Sequence, residues 1–208
     1  LLAHLGVRLW RATGDAEVRT ATERTLDWIA RELTGPEGGA YASTDADSEG
    51  EEGKYFVWTV DELRAVTGAD ADLASLAFGL RHGGNFEGRT VLTARLAPAE
   101  VARRLGAPED DVRAAIARAR AALLAHRATR VPPATDEKRI ASWNGLLLRA
   151  CCEAAMAFGD DARREQALRL AHFLRTHLVR GDRVLRSWNA GTARGPGLLE
   201  DQAAVALG

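Results

Sequence analysis

Apolar residues recur at helical spacing along most of the chain. Over residues 15–33 the positions Val18, Ala21, Thr25, Trp28, Ile29 and Leu33 fall on one side of a helix, and Gly35-Pro36 stops it. The same spacing predicts long helices over 140–158, 160–178 and 109 to about 128, the last ending before Pro132-Pro133. Helical pattern also covers 1–12 and begins again at Leu198. Shorter helices are predicted over 60–66, 70–80 and 98–105. Residues 55–59, 90–93 and 183–187 alternate or run in β-branched and aromatic types, as short strands do. The pattern is therefore all-α, with small β pieces decorating the loops.

The helices repeat. Gly14-Asp15 aligns with Gly159-Asp160 at an offset of 145 residues. At that offset Leu1-Leu2 falls on Leu146-Leu147, Trp28-Ile29 on Phe173-Leu174, and Leu33 on Leu178. Each copy reads helix, short Gly-Asp turn, helix, then a Gly-containing loop with an extended tail. A further copy opens at Leu198, where a shift of 57 residues lays Asp201 on Asn144. Helical hairpins repeated in this way bury their faces on neighbouring hairpins. Residues 1–12, 140–158 and the segment from Leu198 are expected as inner helices, and 15–33, 109–128 and 160–178 as outer ones. All outer-to-inner connections then leave on one face, and these (34–59, 129–139, 179–197) are the long loops. Residues 1–208 are expected to form one domain holding an incomplete set of hairpins. Loops gathered on a rigid scaffold are where binding usually sits.

Composition narrows the chemistry. A net charge of −1, with arginines spread along the helices, argues against a nucleic-acid surface or a polybasic membrane patch. No stretch approaches the roughly 18 apolar residues of a membrane span. Cys151 and Cys152 are neighbours within a helical pattern, without Cys-x-x-Cys spacing. They are expected as reduced, small apolar residues of a cytoplasmic protein, and neither a metal nor a cofactor is expected. Lysine is scarce. Only Lys54 and Lys138 occur among 28 basic residues, and both fall in the long loops; Tyr41 and Tyr55 share the first of these, and Asn85 and Asn144 lie in GGNFEG and SWNG.

The first of these loops reads GGAYASTDADSEGEEGKYFVWT. Asp45, Asp47 and Glu49 resemble the start of a calcium loop, but Phe56 occupies the position where such a loop needs its last acid. Alternation through 55–58 sets Tyr55 and Val57 on one face and Phe56 and Trp58 on the other, offering aromatic surface for a sugar ring or for the core. The second segment, DEKRIASWNG, places Asp136, Lys138, Trp143 and Asn144 where an inner helix opens, with Ser142 or Asn144 as its cap. The third, Glu200-Asp201, opens the next inner helix.

The motifs GGAYASTDADSEGEEGKYFVWT, GNFEGRTVL, DEKRIASWNGLLLRA and LLEDQAAVALG, in that order, resemble the YyaL family, whose members are the spermatogenesis-associated, thioredoxin-domain-containing proteins. The resemblance covers most of the chain. It implies an N-terminal thioredoxin-like domain followed by a six-hairpin (α/α) toroid like those of glycoside hydrolases and N-acylglucosamine 2-epimerases. These residues would be the middle of that toroid, with the thioredoxin-like domain as a partner in the same longer chain. Gln202 departs from the pattern, which has an aromatic residue after the acid.

Three readings follow. A carbohydrate-active enzyme needs two carboxylates, one kept protonated, and the candidates are Asp45, Asp47, Asp136 and Asp201. A sugar or metabolite site without catalysis would draw on Tyr41, Glu49, Lys54, Tyr55, Trp58, Asn85, Glu87, Lys138, Trp143 and Asn144. The third reading is a protein-interaction scaffold. Epimerisation is disfavoured because no histidine falls within a principal loop motif.

Overall fold

A computed structural model describes all of residues 1–208. Its helices are α1 (Leu2–Thr13), α2 (Ala16–Glu32), α3 (Val60–Thr67), α4 (Ala71–Ala77), α5 (Pro98–Leu105), α6 (Glu109–Arg127), α7 (Ala141–Phe158), α8 (Asp161–Phe173) and α9 (Leu199–Leu207). None is long and apolar enough to cross a membrane. The chain divides into two compact units, one of residues Leu1–Thr44 with Thr135–Gly208 and one of residues Asp45–Ala134.

The first unit holds the hairpin repeat. α1 packs on α2 and α7, and α7 packs on α8 and α9. The two turns at the 145-residue offset are alike in detail. Gly14 and Gly159 end their helices in the left-handed conformation, which glycine reaches without steric penalty. Asp15 then accepts the amides of Glu17 and Val18, and Asp160 those of Ala162 and Arg163, so each aspartate caps the next helix. Phe173, Leu26, Leu170, Leu178 and Val7 are fully buried in the core between these helices. The predicted helix over 160–178 changes at Leu174–Leu178 into a single π-helical turn. A strand over Arg183–Asn189, longer than expected, pairs with Thr192–Pro196, Arg139–Ile140 and Val179–Arg180.

The second unit packs α3, α4, α5 and α6 around Leu63, Ala74, Phe78, Val101, Val112 and Trp58. α6 thus sits among three short helices, a place that periodicity alone did not give it when it was counted with the outer helices. The expected strands shorten to Val57–Trp58 and Thr90–Val91, which pair with each other.

The last copy of the repeat is shifted by one residue from the sequence alignment. α7 starts at Ala141 and α9 at Leu199, an offset of 58 rather than 57, so Gln202 and not Asp201 stands where Asn144 does.

Candidate functional site

The acidic loop of the second unit folds as a tight hairpin. Asp47–Ser48 pairs with Glu51–Glu52, leaving Glu49-Gly50 as a two-residue connection. Both have positive φ, 54° and 79°, the type I′ geometry that matches strand twist. Glu87-Gly88 and Ala190-Gly191 repeat that geometry, with first residues at 45° and 47°. These turns hold the three non-glycine residues with positive φ, so their strain comes from the turn type. At Glu49 the turn also sets the carboxylate 3.0 Å from the Lys54 ammonium.

Asp45 and Asp47 are exposed. The Asp45 carboxylate accepts the amides of Ala46 and Asp47 and holds its own turn. Glu51 pairs with Arg89 at 3.5 Å. The acids of this loop thus point to different partners rather than to one metal-sized point.

Beside the hairpin lies a cavity of about 340 Å³ lined by Ser48, Glu49, Lys54, Tyr55, Glu62, Arg89, Thr129 and Arg130, among others. It gathers three expected ligand-binding residues, Glu49, Lys54 and Tyr55, with Arg89 of the GNFEGRTVL motif and with Glu62 and Arg130, which no motif marked. Arg130 anchors the wall. One guanidinium nitrogen donates to the carbonyls of Tyr55 (2.7 Å) and Val57 (2.9 Å), the other to Glu62 at 2.6 Å. Its plane lies 4.2 Å from the Trp58 ring centre. Nothing in the sequence separates Arg130 from the other arginines. The aromatic pair is used differently from a stacking platform: Tyr55 and Trp58 are both buried, with Arg127 over the first ring and Arg130 over the second.

Asn85 has a backbone role. Its amide nitrogen donates to Val91 O (3.0 Å) and its oxygen accepts Val91 N–H (2.8 Å), closing the GGNFEGR loop. Glu87 stands exposed at the tip of that loop.

In the first unit, Asn144 is buried and brackets Ala40 in the same manner, accepting its N–H at 2.7 Å and donating to its carbonyl at 3.0 Å. Ser142 is not the cap that was expected; its backbone N–H instead donates to Asp201 at 3.1 Å. Asp201 is fully buried. Its other oxygen accepts Leu198 N–H (2.9 Å) and the Arg186 guanidinium (3.0 Å). This carboxylate closes the start of α9 and ties it to the start of α7. Burial alone would raise its pKa, but the N–H groups of Leu198 and Ser142 and the Arg186 cation outweigh that and hold it below the usual range.

Asp136 is exposed. The Lys138 amide, and then its ammonium at 3.3 Å, lower the Asp136 pKa too. Lys138 is itself half exposed, whereas the neighbouring Arg139 is the buried hub. Its guanidinium lies between the rings of Tyr41 (4.3 Å) and Trp188 (4.6 Å) and donates to Glu37 at 2.6 Å. Trp143 is 54% exposed, a large aromatic surface at the opening of α7.

Of the cysteines, Cys151 is buried, which pushes its thiol up to about 12, far from a reactive thiolate.

No protein-family model matches the chain. Among curated proteins it is similar to spermatogenesis-associated protein 20 of Homo sapiens, at 30% identity over 235 aligned positions. The Mus musculus and Rattus norvegicus proteins of the same name match at 30% and 29%. Each match takes in 96% of this chain but 30% of the relative, so the chain spans under a third of the length of the curated relatives it matches.

Proposed function

Over the segment it shares with these relatives, the chain belongs to the spermatogenesis-associated protein 20 family, and on that premise we propose that it is the ligand-binding part of an (α/α) toroid in a cytoplasmic, thioredoxin-domain-containing protein. The ligand is a carbohydrate or a similarly polyhydroxylated metabolite, held without turnover by these residues. The observation that carries this reading is the cavity beside Glu49 and Lys54. Carboxylates, cations and hydroxyls all line it, and a sugar hydroxyl, which both donates and accepts, suits such a mixed set. Its volume of about 340 Å³ lies within the roughly 300–1,000 Å³ of small-molecule sites.

Binding is favoured over glycoside hydrolysis because hydrolysis needs one carboxylic acid kept protonated. Asp136 and Asp201 are both shifted the other way, and Asp201 has no oxygen facing solvent.

The test is a thermal-shift and calorimetric screen of the protein as its gene encodes it, against sugars and sugar phosphates. At least one saccharide should raise the unfolding midpoint, with the effect lost in Lys54→Ala and Arg89→Ala. Turnover of the bound saccharide, abolished in Asp45→Asn or Asp136→Asn with binding spared, would replace this reading by the enzyme. No saccharide response, with a protein partner covering these loops, would replace it by the scaffold.

A further inference from the structure

The second unit holds another cavity, of about 290 Å³, where the end of α4, residues 93–96 and the last turn of α5 meet. It shares no lining residue with the cavity beside Glu49 and Lys54. Thr93 N–H donates to Phe78 O at 3.0 Å and holds the 93–96 segment against the close of α4. Gly79 turns the chain there with φ 69°, and a β-carbon on it would stand 3.1 Å from the Thr93 hydroxyl oxygen. Leu76, Leu80 and Leu96 form an apolar floor, each packed against the core around Leu63 and Phe78.

The walls above that floor are cationic. Arg81, Arg95 and Arg104 line the cavity from three separate segments, and no carboxylate lines it. Arg81 engages only its Nε, donating to Gly84 O at 3.2 Å. Arg104 also engages only its Nε, donating to Glu100 at 2.6 Å, and Glu100 is shared with Arg103. Arg95 is exposed and makes no hydrogen bond or ion pair within the protein. Three guanidiniums therefore keep their terminal N–H groups for a ligand, and one shared carboxylate answers their charge.

We propose that this cavity binds a small organic phosphate monoester, with Arg81, Arg95 and Arg104 on the phosphate and the three leucines under its carbon body. A phosphate monoester brings about −1.5 to −2 charges and three strong acceptor oxygens. The planar guanidinium fork meets such oxygens in pairs. A carboxylate brings one charge and two oxygens, which leaves most of this cationic surplus uncompensated. The volume stands at the lower end of the roughly 300–1,000 Å³ of small-molecule sites, which suits a monoester built on a single ring. With a net charge of −1 over the chain, the positive potential is local to this cavity rather than a track for a polyanion. The site rests on its own residues and stands or falls apart from the carbohydrate reading.

The test is calorimetric titration of the protein as its gene encodes it with phenyl phosphate, benzoate and inorganic phosphate. Phenyl phosphate should saturate with a Kd below about 1 mM. It should bind at least about tenfold more tightly than benzoate, which has the ring without the second charge, and than inorganic phosphate, which has no ring. Arg81→Ala and Arg95→Ala should each weaken phenyl phosphate about tenfold, the loss of about one charge-assisted hydrogen bond. Both side chains are exposed, so an unchanged thermal midpoint is expected in the variants and separates lost binding from lost folding. Arg113→Ala removes the same charge from a residue paired with Glu109 outside the cavity, and should leave affinity within about twofold. Absence of saturable binding would overturn the proposal, as would benzoate or inorganic phosphate binding as tightly as phenyl phosphate. An equal loss in Arg113→Ala would overturn it by making the effect one of overall charge. A loss in Lys54→Ala with none in Arg95→Ala would overturn it by moving the ligand to the other cavity.

Discussion

Asn144 and Gln202, 58 positions apart, perform the same operation on the backbone. Asn144 accepts the N–H of Ala40 and donates to its carbonyl at 2.7 and 3.0 Å; Gln202 does both to Val184 at 3.1 Å. Each carboxamide reaches from the first turn of its helix, α7 or α9, to the segment that follows α2 or α8. At Ala40 it meets a donor and an acceptor that the neighbouring turn leaves free; at Val184 it shares the carbonyl with the Gly197 N–H, 2.9 Å away. Gln202, the departure from the family pattern, keeps the clamp with a side chain one methylene longer.

Removing the clamp should be costly where it is buried. Asn144→Ala leaves the N–H and carbonyl of Ala40 without partners, so a loss of about 2–6 kcal/mol in denaturant unfolding is expected, at roughly 1–3 kcal/mol per orphaned buried group. Gln202→Ala should lose less, because Gln202 is half exposed and water replaces it. Equal losses would show that burial does not set the difference.

Gly145 is the close-approach point of α7 and α9. A β-carbon there would stand 2.5 Å from the Ala204 carbonyl oxygen, and backbone cannot rotate away as a side chain does. Gly145→Ala should therefore destabilise by at least the roughly 1–3 kcal/mol typical of overpacking, with loss of native signal from α9. Gly208 lies near the same crossing, so hydrogen exchange at 199–207 is the direct readout.

Helix spacing and turn chemistry were legible in the sequence because both are local. The two Gly-Asp turns and the helices on either side of them follow from residues within a few positions of each other, and the repeat is that local pattern met twice. What was not legible depends on long-range contact. That Arg139 rather than Lys138 would be the buried hub depends on Tyr41, Glu37 and Trp188, 49 or more residues away in sequence. Alternation alone allows Tyr55 and Trp58 a sugar-facing role as well as the commoner core one, and only the long-range placement of Arg127 and Arg130 over their faces separates the two. Asn85 and Asn144 are rare residues in this sequence, and both serve as backbone clamps, at Val91 and at Ala40.

Acid sensitivity should centre on Asp201. Its carboxyl is held below the unfolded value of about 3.9, so its contribution is fully present above that pH and is lost as pH falls through the lower folded value. Wild type should thus lose stability steeply below about pH 4, whereas Asp201→Asn should be weaker at pH 7 and flatter on acidification. Urea midpoints at pH 7 and pH 3 for both proteins decide it, and parallel profiles would remove Asp201 from the acid transition.

The three type I′ turns permit a separation of strain from function. Asn is favoured over Ala or Glu at the first turn position, where left-handed backbone costs an ordinary residue about 1–2 kcal/mol. Ala190→Asn should then stabilise by about 0.5–1 kcal/mol with ligand binding unchanged, since Ala190 brings no side-chain contact to the cavity. Glu49→Asn should give a similar gain in the turn, offset in part by the loss of the exposed Lys54 pair, which contributes about 0–1 kcal/mol. Its effect on saccharide affinity should differ in kind. Without the carboxylate, Lys54 loses the partner that fixes it against the cavity, and affinity should fall roughly tenfold, the loss of about one charge-assisted hydrogen bond. If Glu49→Asn stabilises the protein and leaves saccharide affinity intact, the Glu49 turn is only a turn, and the cavity beside it is not where the ligand sits.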